Sequence, residues 1–146
     1  MADDYKDKLR KTILTNAGRN MFLQIGDGIG TLVYTRAILT SQKMTDSNGN
    51  PLDNEVIANM SSLSDDLKDG RLQISTVIGD HFTVTASFDN KDQHQDIYFN
   101  AVGWYARIDT KSSTGQTVSG QEALIAVTPT ITENELLGAG RPDGLS

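Results

Sequence analysis

The chain has 146 residues and a mass of 15.9 kDa, the size of one domain or of one domain with a tail. It contains no Cys and only two histidines, His81 and His94, which excludes a disulfide scaffold, thiolate-held zinc or iron–sulfur, a Cys nucleophile and a His-rich metal site. The net charge of −6 and pI near 4.7 argue against nucleic acid or an anionic membrane surface as partner, and no apolar run approaches the roughly 20 residues of a membrane span. The charged start, Met1 to Lys11, has no apolar stretch behind it, so no secretory signal is expected and folding is expected in a cytoplasm.

From Tyr5 to Ile25, the residues Leu9, Ile13, Leu14, Ala17, Met21, Phe22 and Ile25 recur at spacings of three and four, the period of an amphipathic helix. Thr15 and Gly18 interrupt the pattern, and the helix is placed most firmly from Thr15, its N-cap, to Gln24. Gly26-Asp27-Gly28-Ile29-Gly30 then ends it, because so glycine-rich a stretch leaves the backbone too free to continue. Thr31 to Ser41 is apolar on both alternating faces and reads as a strand covered on both sides. Asp46 to Pro51 is a dense run of turn formers. Asn54 to Leu67 fits either a short helix capped by Asn54 or an exposed loop.

Between Arg71 and Asn90 the alternation is strict: Phe82, Val84, Ala86 and Phe88 on one strand, Leu72, Ile74 and Ile78 on the other. A three-residue loop, Gly79-Asp80-His81, pairs Ile78 with Phe82, Thr76 with Val84, Ile74 with Ala86 and Leu72 with Phe88, burying one continuous apolar face. Asp89 to Asp96 is a polar loop. Ile97 to Ile108 reads as one central strand, with Ile97, Phe99, Ala101 and Tyr105 on one face and Tyr98, Val102, Trp104 and Ile108 on the other. Thr110 to Gly120 is a turn segment, and Glu122 to Thr128 is a buried strand antiparallel to its predecessor. A last strand or short helix runs up to Leu137, and residues 138 to 146 have the composition of a linker toward a missing C-terminal region. Residues 1–137 thus form a single domain, mainly β (α+β): an antiparallel sheet or sandwich with an N-terminal helix and a second short helix near Asn54 to Leu63.

Each constellation with chemical promise has a plainer reading. The Gly26–Gly30 cluster lacks the Gly-Lys-Ser/Thr of a phosphate loop and the spacing of a dinucleotide fingerprint, so it is a helix stop. Asp46, Asn48 and Asn50 match the first ligand positions of a calcium loop, but Pro51 and Ile57 stand where that loop requires Gly and Glu. Asp89, Asp92, His94 and Asp96 lie within eight residues and are read as a solvated hairpin loop, with an ion there left open. Asp65 and Asp66 are neighbours on an exposed run rather than a facing pair. Tyr98, Trp104 and Tyr105 suggest a sugar-stacking platform, yet adjacent strand residues point to opposite faces, which favours core packing. No catalytic, cofactor-binding or metal-binding residue is therefore assigned, no cofactor is expected, and the chain is read as not an enzyme.

Lys11-Thr12-Ile13-Leu14-Thr15-Asn16-Ala17-Gly18 followed by Gly26-Asp27-Gly28 is similar to the opening of phage tail-collar and tail-fibre proteins. Phe99 to Ala106 followed by Glu122 to Val127 resembles a strand pair of the same proteins, and the whole resembles N-terminal regions of baseplate and tail proteins from phages and prophages of lactic acid bacteria. The resemblance spans most of residues 11 to 128 and implies a structural virion component: the attachment domain of a tail or baseplate appendage. It further implies location in the virion after synthesis in the bacterial host, other tail or baseplate proteins as partners, and homo-oligomers, often trimers. The alternative is a carbohydrate-binding module that contacts host cell-wall polysaccharide.

Overall fold

The computed structural model of the chain describes residues 9–74, 84–88, 97–132 and 135–137. Among them the elements run β1 (Ile13–Leu14), α1 (Asn16–Gly26), β2 (Thr31–Thr40), α2 (Asn54–Ala58), β3 (Asp66–Asp69), β4 (Arg71–Ile74), β5 (Val84–Ser87), β6 (Ile97–Phe99), β7 (Ala101–Lys111), β8 (Thr117–Ser119), β9 (Ala123–Pro129) and β10 (Glu135–Leu137). Six strands form one sheet in the order β1-β9-β7-β2-β3, with β8 also on β7; β4 pairs β5 and β6 pairs β10. All these pairings are antiparallel. The fold is mainly β with an N-terminal helix and a second short one, as the apolar patterning predicts.

The helical period before Thr15 does not produce helix. Leu9 instead bridges Thr130, the Arg10 amide donates to the Pro129 carbonyl at 2.7 Å, and β1 covers the edge of β9. Leu9, Ile13 and Leu14 suit that edge equally well, and its open backbone groups decide between the two conformations. Thr15 is the N-cap, its hydroxyl accepting from the Gly18 amide at 3.0 Å. At the other end Gly28, at φ 80°, sends its amide to the Ile25 carbonyl while the Ile29 amide reaches Gln24, the paired closing bonds of a left-handed glycine stop.

β7 is the spine of the main sheet. The predicted single strand over Ile97–Ile108 is broken at Asn100, whose amide donates to the Thr40 carbonyl and whose side chain donates to the Ser41 carbonyl at 2.8 Å. The break turns Phe99 away from Ala101: Phe99 packs with Val102, Ala37 and Leu39, whereas Ala101 and Tyr105 pack with Ile38, Leu124 and Val127. α2 and the segment from Met44 to Leu63 cover the second of these faces. On the other face Leu72, Ala86 and Phe88 lie over one end, and Met21 of α1 lies beside Ala106, Ile125 and Ala126 at the other.

The β4–β5 register differs from the predicted one. Leu72 pairs Ala86 and Ile74 pairs Val84, a slip of two residues that keeps the same side chains on the same face. Phe88 then falls opposite Gly70, where any Cβ would stand 2.6 Å from its ring, so the glycine makes room for the aromatic and favours this register. The predicted hairpin loop at Gly79–His81 and the Asp89–Asp96 loop lie outside the described residues, as does the 138–146 linker. α2 is capped by Asp53 rather than Asn54, without a side-chain cap bond. The stretch after it, left open between helix and loop, ends in edge strand β3. Thr110 to Gly120 contains the end of β7, a turn and β8, and the last element is a strand, β10, rather than a helix.

Candidate functional site

Two bulges flank β7 at the same level. On β2, Tyr34 pairs Ala106 and Arg36 pairs Tyr105, leaving Thr35 as the extra residue. On β9, Leu124 pairs Tyr105 and Ala126 pairs Trp104, leaving Ile125 extra. A bulge breaks strict alternation and re-aims side chains. On β2 it points Thr35 and Arg36 to the same carboxylate: the Thr35 hydroxyl donates to Glu122 Oε2, and Arg36 Nε donates to Glu122 Oε1 at 3.0 Å. Arg36 Nη1 reaches Asp66 Oδ2 at 3.2 Å, and the guanidinium lies 4.1 Å from the centre of the Tyr105 ring. One cation thus ties β2, β3 and the start of β9 together across β7.

The electrostatics follow from these contacts. The Thr35 hydroxyl and then Arg36 hold the Glu122 carboxyl below the ordinary Glu value. Burial pushes the Tyr105 phenol up. Nearby, Arg107 Nε donates to Asp109 Oδ1 at 2.8 Å and keeps that carboxyl low as well. The cluster is polar and half-exposed, with its cation engaged by two carboxylates. What it does physically is hold strand order and register.

The constellations weighed from the sequence separate. Gly26–Gly30 is the helix stop described above. Asp46 Oδ1 accepts from the amides of Asn48 and Asn50 at 2.9 and 3.0 Å, an Asx turn closed on itself. Asp65 stands at φ 56° and accepts from the Ser41 hydroxyl at 3.2 Å, while its neighbour Asp66 turns to Arg36. Trp104 and Tyr105 lie on opposite faces; the indole N–H donates to the Thr128 hydroxyl at 2.9 Å, and Thr128 in turn meets the Thr12 hydroxyl at 2.6 Å. Tyr98 is exposed and stands apart from both. His81, His94 and the acidic residues from Asp89 to Asp96 lie outside the described residues. Among the described residues no three His, Asp or Glu side chains are grouped to hold a metal ion.

Two concave features were not foreseen. A cavity of about 90 Å³ is lined by apolar residues alone, with Leu39, Val102 and Trp104 from the main sheet, Phe99 from β6, Leu9, and Ala86 and Phe88 from the β5 segment. A larger open cleft runs between β1, the start of α1 and α2, with Arg10, Lys11 and Arg19 along it and Glu55 as its one acidic residue. The Asn16 side chain donates through Nδ2 to Asn59 Oδ1 at 2.6 Å and joins the two helices beside it. Arg36 carried a readable signal, since a lone Arg inside a strand apolar on both faces demands an anionic partner. The cleft carried none, because it forms only when the first strand lies beside a helix more than 40 residues further on.

Fold and site together define a mainly antiparallel β domain with an open cleft and a sheet knitted by a polar cluster. No known protein family, no curated protein and no solved structure matches the chain. No helix among the described residues is long and apolar enough to cross a membrane.

Proposed function

We propose that this chain is a structural, non-enzymatic component of a phage virion, the N-terminal attachment domain of a tail or baseplate appendage protein. Its partners are other tail or baseplate proteins and further copies of itself. The observation that supports this reading is that the separate segments carrying the resemblance meet in one unit. Thr15 from the first segment donates its hydroxyl to the Leu124 carbonyl at 2.6 Å and its amide to the Ile125 carbonyl at 2.9 Å. Leu124 and Ile125 belong to the last segment, which pairs with the Phe99–Ala106 segment through Gly103–Val127, Trp104–Ala126 and Tyr105–Leu124. The residues that carry the resemblance therefore belong to one packed unit, as an attachment domain requires.

The test is location. Antibodies raised against the domain are used to label particles purified after prophage induction of the encoding strain. Gold at the tail tip supports the proposal; particles without label, with the chain left in the soluble lysate, overturn it. Titration with cell-wall saccharides addresses the carbohydrate-binding alternative, which predicts saturable heat on binding by this domain alone.

A further inference from the structure

The two edges of the main sheet carry opposite charge. At one edge, β1 and the residues around it present Arg10, Lys11 and Arg19 to the open cleft beside α2, against Glu55 as the one acid lining it among the described residues. At the other edge, β3 and the residue before it present Asp65 and Asp69, with Lys68 half-buried between them and Asp66 paired to Arg36. β1 and β3 are the terminal strands of that sheet among the described residues. On a chain whose net charge is −6, a cleft with three cations is a local reversal of sign. Arg10 adds to it: one guanidinium nitrogen, Nη1, is shut off from solvent with no acceptor among the described residues, while Nη2 reaches the Leu52 carbonyl at 3.4 Å. The guanidinium keeps its charge at the wall of the cleft, where partial burial screens it less than open water does, so it adds to the attraction felt by an approaching carboxylate. Both edges also expose a leucine, Leu14 at 38% and Leu67 at 37%.

From this we infer that copies of the chain associate head to tail, the acidic β3 edge of one copy seated in the basic β1–α2 cleft of the next. The contact is heterologous, because the two surfaces differ, so it propagates around a ring or along a filament rather than closing as a two-fold dimer. Open strand edges are where chains add to one another, and matched charge selects which edges meet. The inference rests on the assembly reading for the expectation that copies meet, and it adds which surfaces do so.

The test uses two full-length variants with substitutions outside the Arg36 cluster. Lys11→Glu with Arg19→Glu reverses the cleft, and Asp65→Asn with Asp69→Lys reverses the edge, Asn being at home in the left-handed backbone at position 65. Circular dichroism and thermal melts confirm that each remains folded. In sedimentation at low salt, wild type is expected as an oligomer that dissociates as salt screens the contact. Each variant alone is expected to weaken association by about tenfold or more, and an equimolar mixture to recover it in a filament or an even-numbered ring, where the two variants alternate and every contact joins unlike charges; an odd-numbered ring recovers it only in part. A wild-type monomer at every salt concentration overturns the inference, and so does an oligomer indifferent to both reversals. That second outcome leaves the virion reading standing, whereas failed particle labelling with intact charge-dependent association removes the virion reading and spares the docking surfaces.

Discussion

Replacing Gly18 by Ala puts a helix-favouring residue into α1 yet is expected to destabilise the protein. In an exposed helix interior the exchange gains about 0.5–1 kcal/mol. Here a Cβ would stand 2.0 Å from the Ile125 carbonyl oxygen and 2.8 and 2.9 Å from that residue's carbonyl carbon and Cα, all rigid backbone. Ordinary contact needs about 3.5 Å, so the helix must retreat by more than about 1 Å. That retreat pulls Thr15 from its bonds to Leu124 and Ile125. Overpacking of this kind costs about 1–3 kcal/mol and each lost buried hydrogen bond about 1 kcal/mol, which outweighs the propensity gain and leaves a net loss of about 2 kcal/mol. For a chain of this size the melting temperature should fall by about 6 °C. Gly26→Ala is the internal control: it is in the same helix, with nothing within 4 Å of the added Cβ, and should raise the melting temperature by about 2–3 °C. Calorimetry of both variants decides the matter. A Gly18→Ala protein as stable as Gly26→Ala would refute the docking of α1 onto the β9 bulge.

Thr15→Ala removes both the cap acceptor for Gly18 and the donor to Leu124, and urea denaturation should record a loss of about 2 kcal/mol, with Thr15→Ser restoring most of it. Thr128→Val strands the indole N–H of Trp104 and is expected to lower stability by about 1–3 kcal/mol; Trp104 is the chain's single tryptophan, so its emission follows the change directly. Glu122 has its folded pKa depressed, so its contribution is complete above the ordinary Glu value of about 4.3 and fades as pH falls through the lower folded value. Glu122→Gln should therefore lose stability relative to wild type near neutrality, and the gap should narrow in acid below about pH 4. A constant gap from neutral to acid pH would exclude the Thr35–Arg36–Glu122 arrangement as its cause.

The sheet was legible in the sequence where burial and turn chemistry point the same way. Thr31–Thr40 and Ala123–Pro129 follow from apolar residues on both faces, and the helix stop follows from Gly26–Gly30. Three misreadings share one cause, a local pattern overruled by a distant partner. Leu9 and Ile13 keep helical spacing but serve the edge of β9. Asn100 looks like one more strand residue until the Thr40 and Ser41 carbonyls engage it. The β4–β5 register depends on Gly70, which lies outside the alternating run used to choose it. Of the candidate sites, the Asx turn at Asp46 was readable because its partners are neighbours in sequence. Arg36 signalled that it needs an anion, but neither its partner Glu122 nor the basic cleft was readable, since each joins residues far apart in the chain.

The unpaired residue in β9 also works as a phase shifter. Ile125 and Ala126 both join the cluster beside Met21, while Leu124 before them and Val127 after them join the cluster beneath α2. The strand thus runs in one parity before Ile125 and in the opposite parity beyond it. Threading the same residues through an unbroken zigzag would carry Leu124 to the wrong side of the sheet, whereas deleting Ile125 would keep Leu124 in place but take one apolar side chain from the cluster beside Met21. At this point an irregular count is the condition for two sound cores, and a perfectly regular strand would be the defective one.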